Sequence, residues 1–106
     1  MKRVLIGAVA ASALLLTGVA QASADLAKNN GCLNCHTVET KLVGPSLKEI
    51  AAKYADKADA VDYLTGKILG GSSGVWGTMA MPPKGGSPTL TDADAKTLAE
   101  FILTLK

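Results

Sequence analysis

The sequence predicts an all-α protein with four or so short helices and one long loop. Three segments place apolar residues at helical spacing behind residues that cap helices. No segment alternates polar and apolar residues as a half-buried strand does. The chain has 106 residues, of which 48% are hydrophobic and 4% aromatic. These values exclude two full domains, a polytopic membrane protein and a disordered or collagen-like chain.

The N-terminal segment has the three parts of a secretory signal peptide. Two basic residues precede an apolar run over residues 4–19, and Ala20-Gln21-Ala22 is an A-x-A cleavage pattern. The run has 16 residues, whereas a membrane-spanning helix needs roughly 20. We therefore expect residues 1–22 to be removed on export to the periplasm, by cleavage after Ala22 or alternatively after Ala24. No permanent membrane anchor is expected.

The remaining domain, residues 23–106, carries nine lysines and nine acidic residues and is formally neutral. This balance gives no indication of nucleic-acid binding. A domain of this size buries only a marginal core and usually needs a disulfide, a metal or another support.

Helical patterns begin near the start of this domain. Asp25 to Asn30 form a short candidate helix that Gly31 ends. Ser46 and Glu49 then fit a capping box. The apolar face of the helix that follows them consists of Leu47, Ile50, Ala51 and Tyr54.

The second half of the domain predicts two more helices and a loop between them. Asp59 is expected to cap the first of these helices, and Gly70-Gly71 to end it. Residues 71–90 are rich in glycine and proline, and loops of this length are usually functional. Thr91 is expected to cap the last helix. The apolar stripes are Val61, Leu64 and Ile68 in the first helix, and Leu98, Phe101, Ile102 and Leu105 in the last.

The most informative motif is Cys32-Leu33-Asn34-Cys35-His36, which has the C-x-x-C-H spacing of covalent c-type haem attachment. Residues i and i+3 share one face of a helical turn, so two thiols can each reach one vinyl group of a porphyrin. His36 can then approach the iron from one side of the ring. The motif therefore predicts one haem c per chain, bound covalently by Cys32 and Cys35 and ligated by His36.

Other interpretations of the two cysteines fit less well. A thioredoxin-like dithiol requires strands that alternate with helices. A structural zinc site requires four ligands, and the domain has no further Cys or His. A plain disulfide would close a very short loop and would leave His36 and the long loop unexplained.

The second axial ligand of the iron cannot be a histidine, because His36 is the only one. Met79, Met81, a lysine, water or an open position remain. Met81 is the first candidate, since Pro82 and Pro83 stiffen the backbone that follows it; Met79 is the second. A neutral thioether favours Fe(II), and an iron with both axial positions filled suits an electron carrier.

These motifs together resemble the small class I bacterial monohaem cytochromes c of the c-551/c-552 type. The resemblance extends from about Asp25 to Lys106. Beside the cysteine motif, the similar pieces are Val43-Gly44-Pro45, the helix from Lys48 to Tyr54, Gly74-Val75-Trp76-Gly77, Met81-Pro82-Pro83 and the helix from Asp92 to Lys106.

The resemblance implies a class I cytochrome c fold, in which the N-terminal helix crosses the C-terminal helix. It implies Met81 as the second axial ligand and the Pro45 carbonyl as the acceptor of the His36 Nδ1–H. It also places Trp76 and Lys67 near the haem propionates. A core tryptophan is the alternative for Trp76, and a solvated helix face explains Lys67 equally well. Lys84 departs from the family, because many relatives have an amide side chain there, close to the methionine sulfur.

We expect a periplasmic one-electron carrier of the respiratory chain, a monomer and not an enzyme. The alternatives are a peroxidase-like haem enzyme, a ligand sensor with a labile methionine, or a haem subunit of a larger reductase or oxidase. Its donor and acceptor would be redox proteins, such as a cytochrome complex, a terminal oxidase, a nitrite reductase or a peroxidase.

Overall fold

The computed structural model describes residues 20–106 as four α-helices without a strand. Residues 1–19, which make up most of the predicted signal peptide, lie outside the described residues. The all-α prediction is confirmed. The helices are α1 over residues 20–29, α2 (Leu47–Tyr54), α3 (Ala60–Gly70) and α4 (Asp92–Leu103), with short 3-10 turns at Cys32–Asn34 and Pro83–Gly86.

Helix α1 is longer than its sequence pattern predicts. It is already helical at residue 20, the first described residue, and ends at residue 29. Alanines at 20, 22 and 24 favour helix, so the conformation extends ahead of the predicted start at Asp25. Gly31 then adopts a left-handed φ of 78° and turns the chain into the cysteine motif.

Helix α2 has the predicted start and the predicted face. Ser46 Oγ accepts the Glu49 backbone N–H at 3.0 Å. The second bond of a capping box, from the Ser46 backbone N–H to the Glu49 side chain, is absent, and Glu49 is exposed. The four residues predicted to form the apolar face are all buried.

Helix α3 begins after Asp59 as predicted, but the Asp59 side chain makes no cap bond. Its carboxylate is paired instead with Lys57, at 3.2 Å. Leu64 and Ile68 are buried, whereas Val61 is only partly covered. The helix ends at Gly70, and the Gly71 N–H still bonds to Lys67 O.

The long loop contains backbone pairing that its composition does not predict. Ser72 and Met81 form an isolated antiparallel bridge, with N–H···O distances of 3.0 and 2.7 Å. Thr91 then starts α4 with a complete capping box: its Oγ1 accepts the Asp94 N–H at 3.1 Å, and its own N–H donates to the Asp94 carboxylate at 3.3 Å.

One buried cluster joins all four helices. Helix α4 packs on α3 and α2, and Ala27 of α1 lies in the same cluster as Ala95, Leu98 and Ala99 of α4. The first and last helices of the described chain therefore contribute to one core, and residues of all four helices and of the long loop line a cavity.

Candidate functional site

One mostly apolar cavity is lined by all the residues that the sequence predicts to bind the haem or its iron. It encloses about 1260 Å³ of empty space, part of which is open solvent at its mouth. The nominated residues in its wall are Cys32, Cys35, His36, Pro45, Lys67, Trp76, Met79 and Met81. They come from four separate parts of the chain, so only the fold makes them neighbours.

The cysteine motif forms a tight turn at the rim of this cavity. The N–H groups of Cys35 and His36 both donate to Cys32 O, at 3.3 and 3.0 Å. Both thiols are free, Cys35 exposed and Cys32 partly buried. Burial raises the pKa of the Cys32 thiol, more than its backbone hydrogen bond lowers it, and Cys35 adds a smaller rise. The turn thus presents both sulfurs and the imidazole to one space.

The orientation of His36 is fixed by the carbonyl of Pro45. The His36 Nδ1–H donates to Pro45 O at 2.8 Å. A carbonyl can only accept, so Nδ1 carries a proton; in the neutral imidazole this leaves the lone pair on Nε2. Such a bond sets the ring of a metal-binding histidine and raises its basicity. The ring is therefore prepared as a ligand in this structure.

The two methionines of the long loop differ in surroundings. The side chain of Met79 is 69% exposed, whereas that of Met81 is partly buried. The backbone of Met81 is tied to Ser72 on both its N–H and its C=O. Its carbonyl also lies 2.7 Å from the position that a Cβ on Gly71 would take. These contacts fix the backbone of Met81 at the cavity and favour it over Met79 as a ligand.

An aromatic and cationic cluster forms another part of the wall. Tyr54 and Tyr63 lie with ring centroids 5.0 Å apart, and Lys67 Nζ lies 5.5 Å from the Tyr63 ring. Lys53 Nζ lies 5.3 Å from the Trp76 ring. Burial, with the adjacent Tyr63 as a further cause, raises the pKa of Tyr54 to about 12. Lys67 and Trp76, the two positions predicted to lie near the propionates, thus both line the cavity.

Sequence reasoning missed the tyrosines and an anchor of the long loop. The apolar spacing predicts Tyr54 on the buried face of α2, but its hydroxyl gives no motif that would mark it as part of the site.

The anchor of the loop is Asn30. Its Oδ1 accepts Ser87 Oγ–H at 2.7 Å, although the two residues are 57 positions apart. Its Nδ2 donates to Leu26 O at 2.9 Å. Asn30 thus ties the loop beyond Met81 to the end of α1, next to the cysteine motif.

The structure gives two facts about Lys84, the position at which the sequence departs from the family it resembles. It does not line the cavity, and it is the sole non-glycine residue with a positive φ, 58°, in residues 20–106. This conformation is tolerated better by asparagine than by lysine.

The cavity fits the cofactor that the motif predicts. Its wall supplies two thiols, an imidazole, two methionine thioethers and two groups suited to carboxylates, all set in apolar surroundings. Outside this set, no group of three His, Cys, Asp or Glu side chains within residues 20–106 could hold a metal ion. The donor set therefore suits a covalently bound porphyrin with a soft axial ligand.

Comparison with known proteins gives a consistent result. A family model described as Cytochrome c matches residues 20–106. Cytochrome c-552 of Nitrosomonas europaea is 65% identical over 106 residues, the full length of both chains. Cytochrome c-552 of Hydrogenobacter thermophilus is 48% identical over the same extent. Cytochrome c-551 of Ectopseudomonas mendocina is 52% identical over 82 residues, or 77% of this chain and 95% of its own.

Solved structures agree with the sequence matches. The crystal structure of wild-type Nitrosomonas europaea cytochrome c552 superposes with a TM-score of 0.73 at 67% identity, over 78% of this chain and 99% of its own. The class 1 cytochrome MtoD of Sideroxydans lithotrophicus ES-1 superposes with a TM-score of 0.62 at 31% identity, over 80% of this chain and 94% of its own. Separately, no helix in residues 20–106 has the length and apolarity to span a bilayer.

Proposed function

This chain belongs to the cytochrome c family, and from that premise we propose that it shuttles single electrons between respiratory redox proteins in the periplasm, with His36 and Met81 as axial ligands of its iron. The fold is the class I cytochrome c fold that the resemblance implies. The chain is a small electron carrier with covalently bound haem c, and not an enzyme. The bound haem supplies an iron that cycles between Fe(III) and Fe(II).

The observation that carries the ligand assignment is that His36 and Met81 line the same cavity as Cys32 and Cys35. Met79 lines it too, but it is 69% exposed, whereas Met81 is partly buried. In the proposal the sulfurs of Cys32 and Cys35 would hold the ring covalently, and His36 Nε2 and Met81 Sδ would be the two protein ligands of the iron. Pro45 keeps the imidazole in one tautomer through the 2.8 Å bond to Nδ1. A filled coordination sphere changes little between oxidation states, and it leaves no position open for a substrate.

The ligand assignment is tested by absorption spectroscopy of the oxidised holoprotein. A sulfur-to-iron charge-transfer band in the far red should be present in the wild type and absent in Met81→Ala. The reduction potential of Met81→Ala should fall, because the thioether stabilises Fe(II). Met79→Ala is the matched control and should keep both the band and the potential. Loss of the band in Met79→Ala alone would overturn the assignment, as would a five-coordinate high-spin wild type.

Docking of redox partners is proposed at the mouth of the cavity. Five large apolar residues of the described chain are exposed: Leu33, Leu42, Val43, Val75 and Met79. Val43 and Met79 line the cavity, and the other three are next in the chain to residues that do. Exposed apolar patches are typical of interaction sites, and transient redox complexes bury small interfaces. Partners would therefore contact the edge that carries the cysteine motif.

This surface is tested by stopped-flow electron transfer with candidate partner enzymes from the same cell. Val43→Lys should slow the second-order rate, because it places a charge in an apolar contact. Ala93→Lys adds the same charge on the exposed side of α4 and serves as the control. Equal rates for both variants would argue against docking at the cavity mouth.

Export is proposed from the signal pattern over residues 1–22. It is supported by the Nitrosomonas europaea relative, whose full sequence aligns with all of this chain, whereas its crystallised chain aligns with 78%. Intact mass and N-terminal sequencing of the protein from its periplasm would test this. The first residue should be Ser23, or Asp25 if cleavage follows Ala24. A start at Met1 would contradict it.

A further inference from the structure

The backbone of Gly44 lies directly against the imidazole of His36. A Cβ on Gly44 would lie 2.6 Å from His36 Cε1, 3.0 Å from Nδ1 and 3.2 Å from Nε2. Three ring atoms are thus within contact of one missing methyl group. Real Cβ atoms essentially never come within 3.0 Å of a neighbouring heavy atom, so any side chain at position 44 would displace the ring or the backbone.

The φ of Gly44 does not by itself require glycine. It lies outside the left-handed region that favours glycine, unlike those of Gly31, Gly71 and Gly74. The φ angle therefore gives no reason to exclude alanine here. The contact with His36 is the feature of the structure that excludes a side chain here.

The ring has little freedom to move away from Gly44. Its Nδ1–H is held by Pro45 O at 2.8 Å, and the His36 N–H is held by Cys32 O at 3.0 Å. The Gly44 N–H donates in turn to Cys35 O at 2.8 Å. Hydrogen bonds to neighbouring backbone groups therefore hold both the His36 ring and the Gly44 backbone in place.

From this contact we propose that Gly44 is a positioning residue for the axial histidine, setting the plane of the His36 ring and the strength of its bond to Pro45. The proposal rests on the function proposed above, because it takes His36 as an iron ligand. A methyl group at 44 would rotate the ring or lengthen the bond from Nδ1 to Pro45 O. A weaker bond makes the imidazole less basic and therefore a poorer stabiliser of Fe(III).

The test compares Gly44→Ala with wild type as oxidised holoproteins. We expect Gly44→Ala to keep covalent haem and the far-red sulfur band, to change the pattern of haem-methyl hyperfine NMR shifts, and to raise the reduction potential. The control is Gly66→Ala, because Gly66 also has an ordinary φ but has no atom within 4 Å of the position that its Cβ would take. Unchanged shifts and potential in Gly44→Ala, or equal changes in Gly66→Ala, would overturn the proposal.

A second measurement covers the case in which Gly44→Ala yields no holoprotein. In the reduced wild type, a nuclear Overhauser contact should join the Gly44 α-protons to the His36 Cε1 proton. Its absence would overturn the proposal by removing the contact on which it rests. The sulfur band of the wild type reports separately on the proposed function, so that the two failures can be told apart.

Discussion

Gly71 occupies a backbone conformation that essentially only glycine adopts. Its φ is 82° and its ψ 177°, and a Cβ there would lie 2.7 Å from Met81 O and 3.1 Å from Pro83 N. The strain of such a conformation costs on the order of 1–3 kcal/mol for other residues. Gly71 therefore does two things at once: it ends α3, and it lets the backbone that bears Met81 come close.

We predict that Gly71→Ala destabilises the holoprotein by more than about 1–3 kcal/mol and weakens the far-red sulfur band. Gly74→Ala is the matched control, because Gly74 has a φ of 81° but open space where its Cβ would lie. Denaturant unfolding of both variants would separate strain, which they share, from the contact with Met81. Equal destabilisation and an unchanged band in both would show that the contact has no effect on the ligand.

Tyr54 links the cavity wall to the pH dependence of stability. Burial, with a further contribution from Tyr63, raises the pKa of the Tyr54 phenol from an ordinary value of 10 to about 12. Below pH 10 the phenol is neutral in both the folded and the unfolded state, and its stabilising effect is complete. Between pH 10 and 12 the unfolded state loses the proton first, so that unfolding becomes more favourable.

We predict that the free energy of unfolding falls between about pH 10 and 12 in the wild type and falls less steeply in Tyr54→Phe. Chemical denaturation of the reduced holoprotein at a series of pH values would measure this slope. Tyr63→Phe keeps the buried Tyr54 phenol and should keep most of the slope. A Tyr54→Phe profile parallel to that of the wild type would show that another group causes the alkaline loss.

At the scale of helices, two caps that look alike in sequence differ in the structure. Thr91 and Asp94 form a complete capping box at the start of α4, whereas Asp59 precedes α3 without a side-chain cap bond. A cap of the first kind contributes typically about 1 kcal/mol. The Asp59 carboxylate is paired with Lys57, and an exposed ion pair of this kind contributes little.

We predict that Thr91→Ala lowers the free energy of unfolding by about 1 kcal/mol, and that Asp59→Ala lowers it by less. Both substitutions truncate a helix-start residue to alanine, so the difference between them reports on the cap bond. Thermal unfolding of the two holoproteins under identical conditions would measure it. An equal loss in both would mean that the side-chain bonds of Thr91 are not the source of its effect.

The same helices show which features of the fold sequence patterns can predict. Cap residues and apolar spacing predicted α2, α3 and α4 and the buried face of α2, because those signals are local in the chain. The C-x-x-C-H motif likewise located one rim of the cavity. Contacts between distant residues were not predictable: Asn30 with Ser87, and Lys53 over Trp76. Their partners are chosen by the packing of helices and loop, which no spacing rule encodes.

For the whole molecule, the buried core is small for the number of residues it supports. Five of the twelve buried apolar residues in the described chain are alanines. Alanine buries little apolar surface. Burial stabilises the folded state by about 25 cal/mol for each Å² of apolar surface, and this gain has to offset the conformational entropy that the whole chain loses on folding. A chain of this size seldom achieves that without an added group. The large apolar cavity bordered by Leu64, Ile68 and Leu98 is where that group belongs.

We therefore predict that the chain without its haem is largely unfolded, since the helices that line the cavity would otherwise face water. Far-ultraviolet circular dichroism should show loss of most helical signal in apoprotein produced without the haem-attachment system, and no cooperative melting transition. A Cys32→Ala, Cys35→Ala double variant should behave in the same way in cells that attach haem, whereas Met81→Ala should fold, because covalent attachment and most of the buried ring are retained. An apoprotein that melts cooperatively near the temperature of the holoprotein would show that α1 to α4 form a sufficient core by themselves.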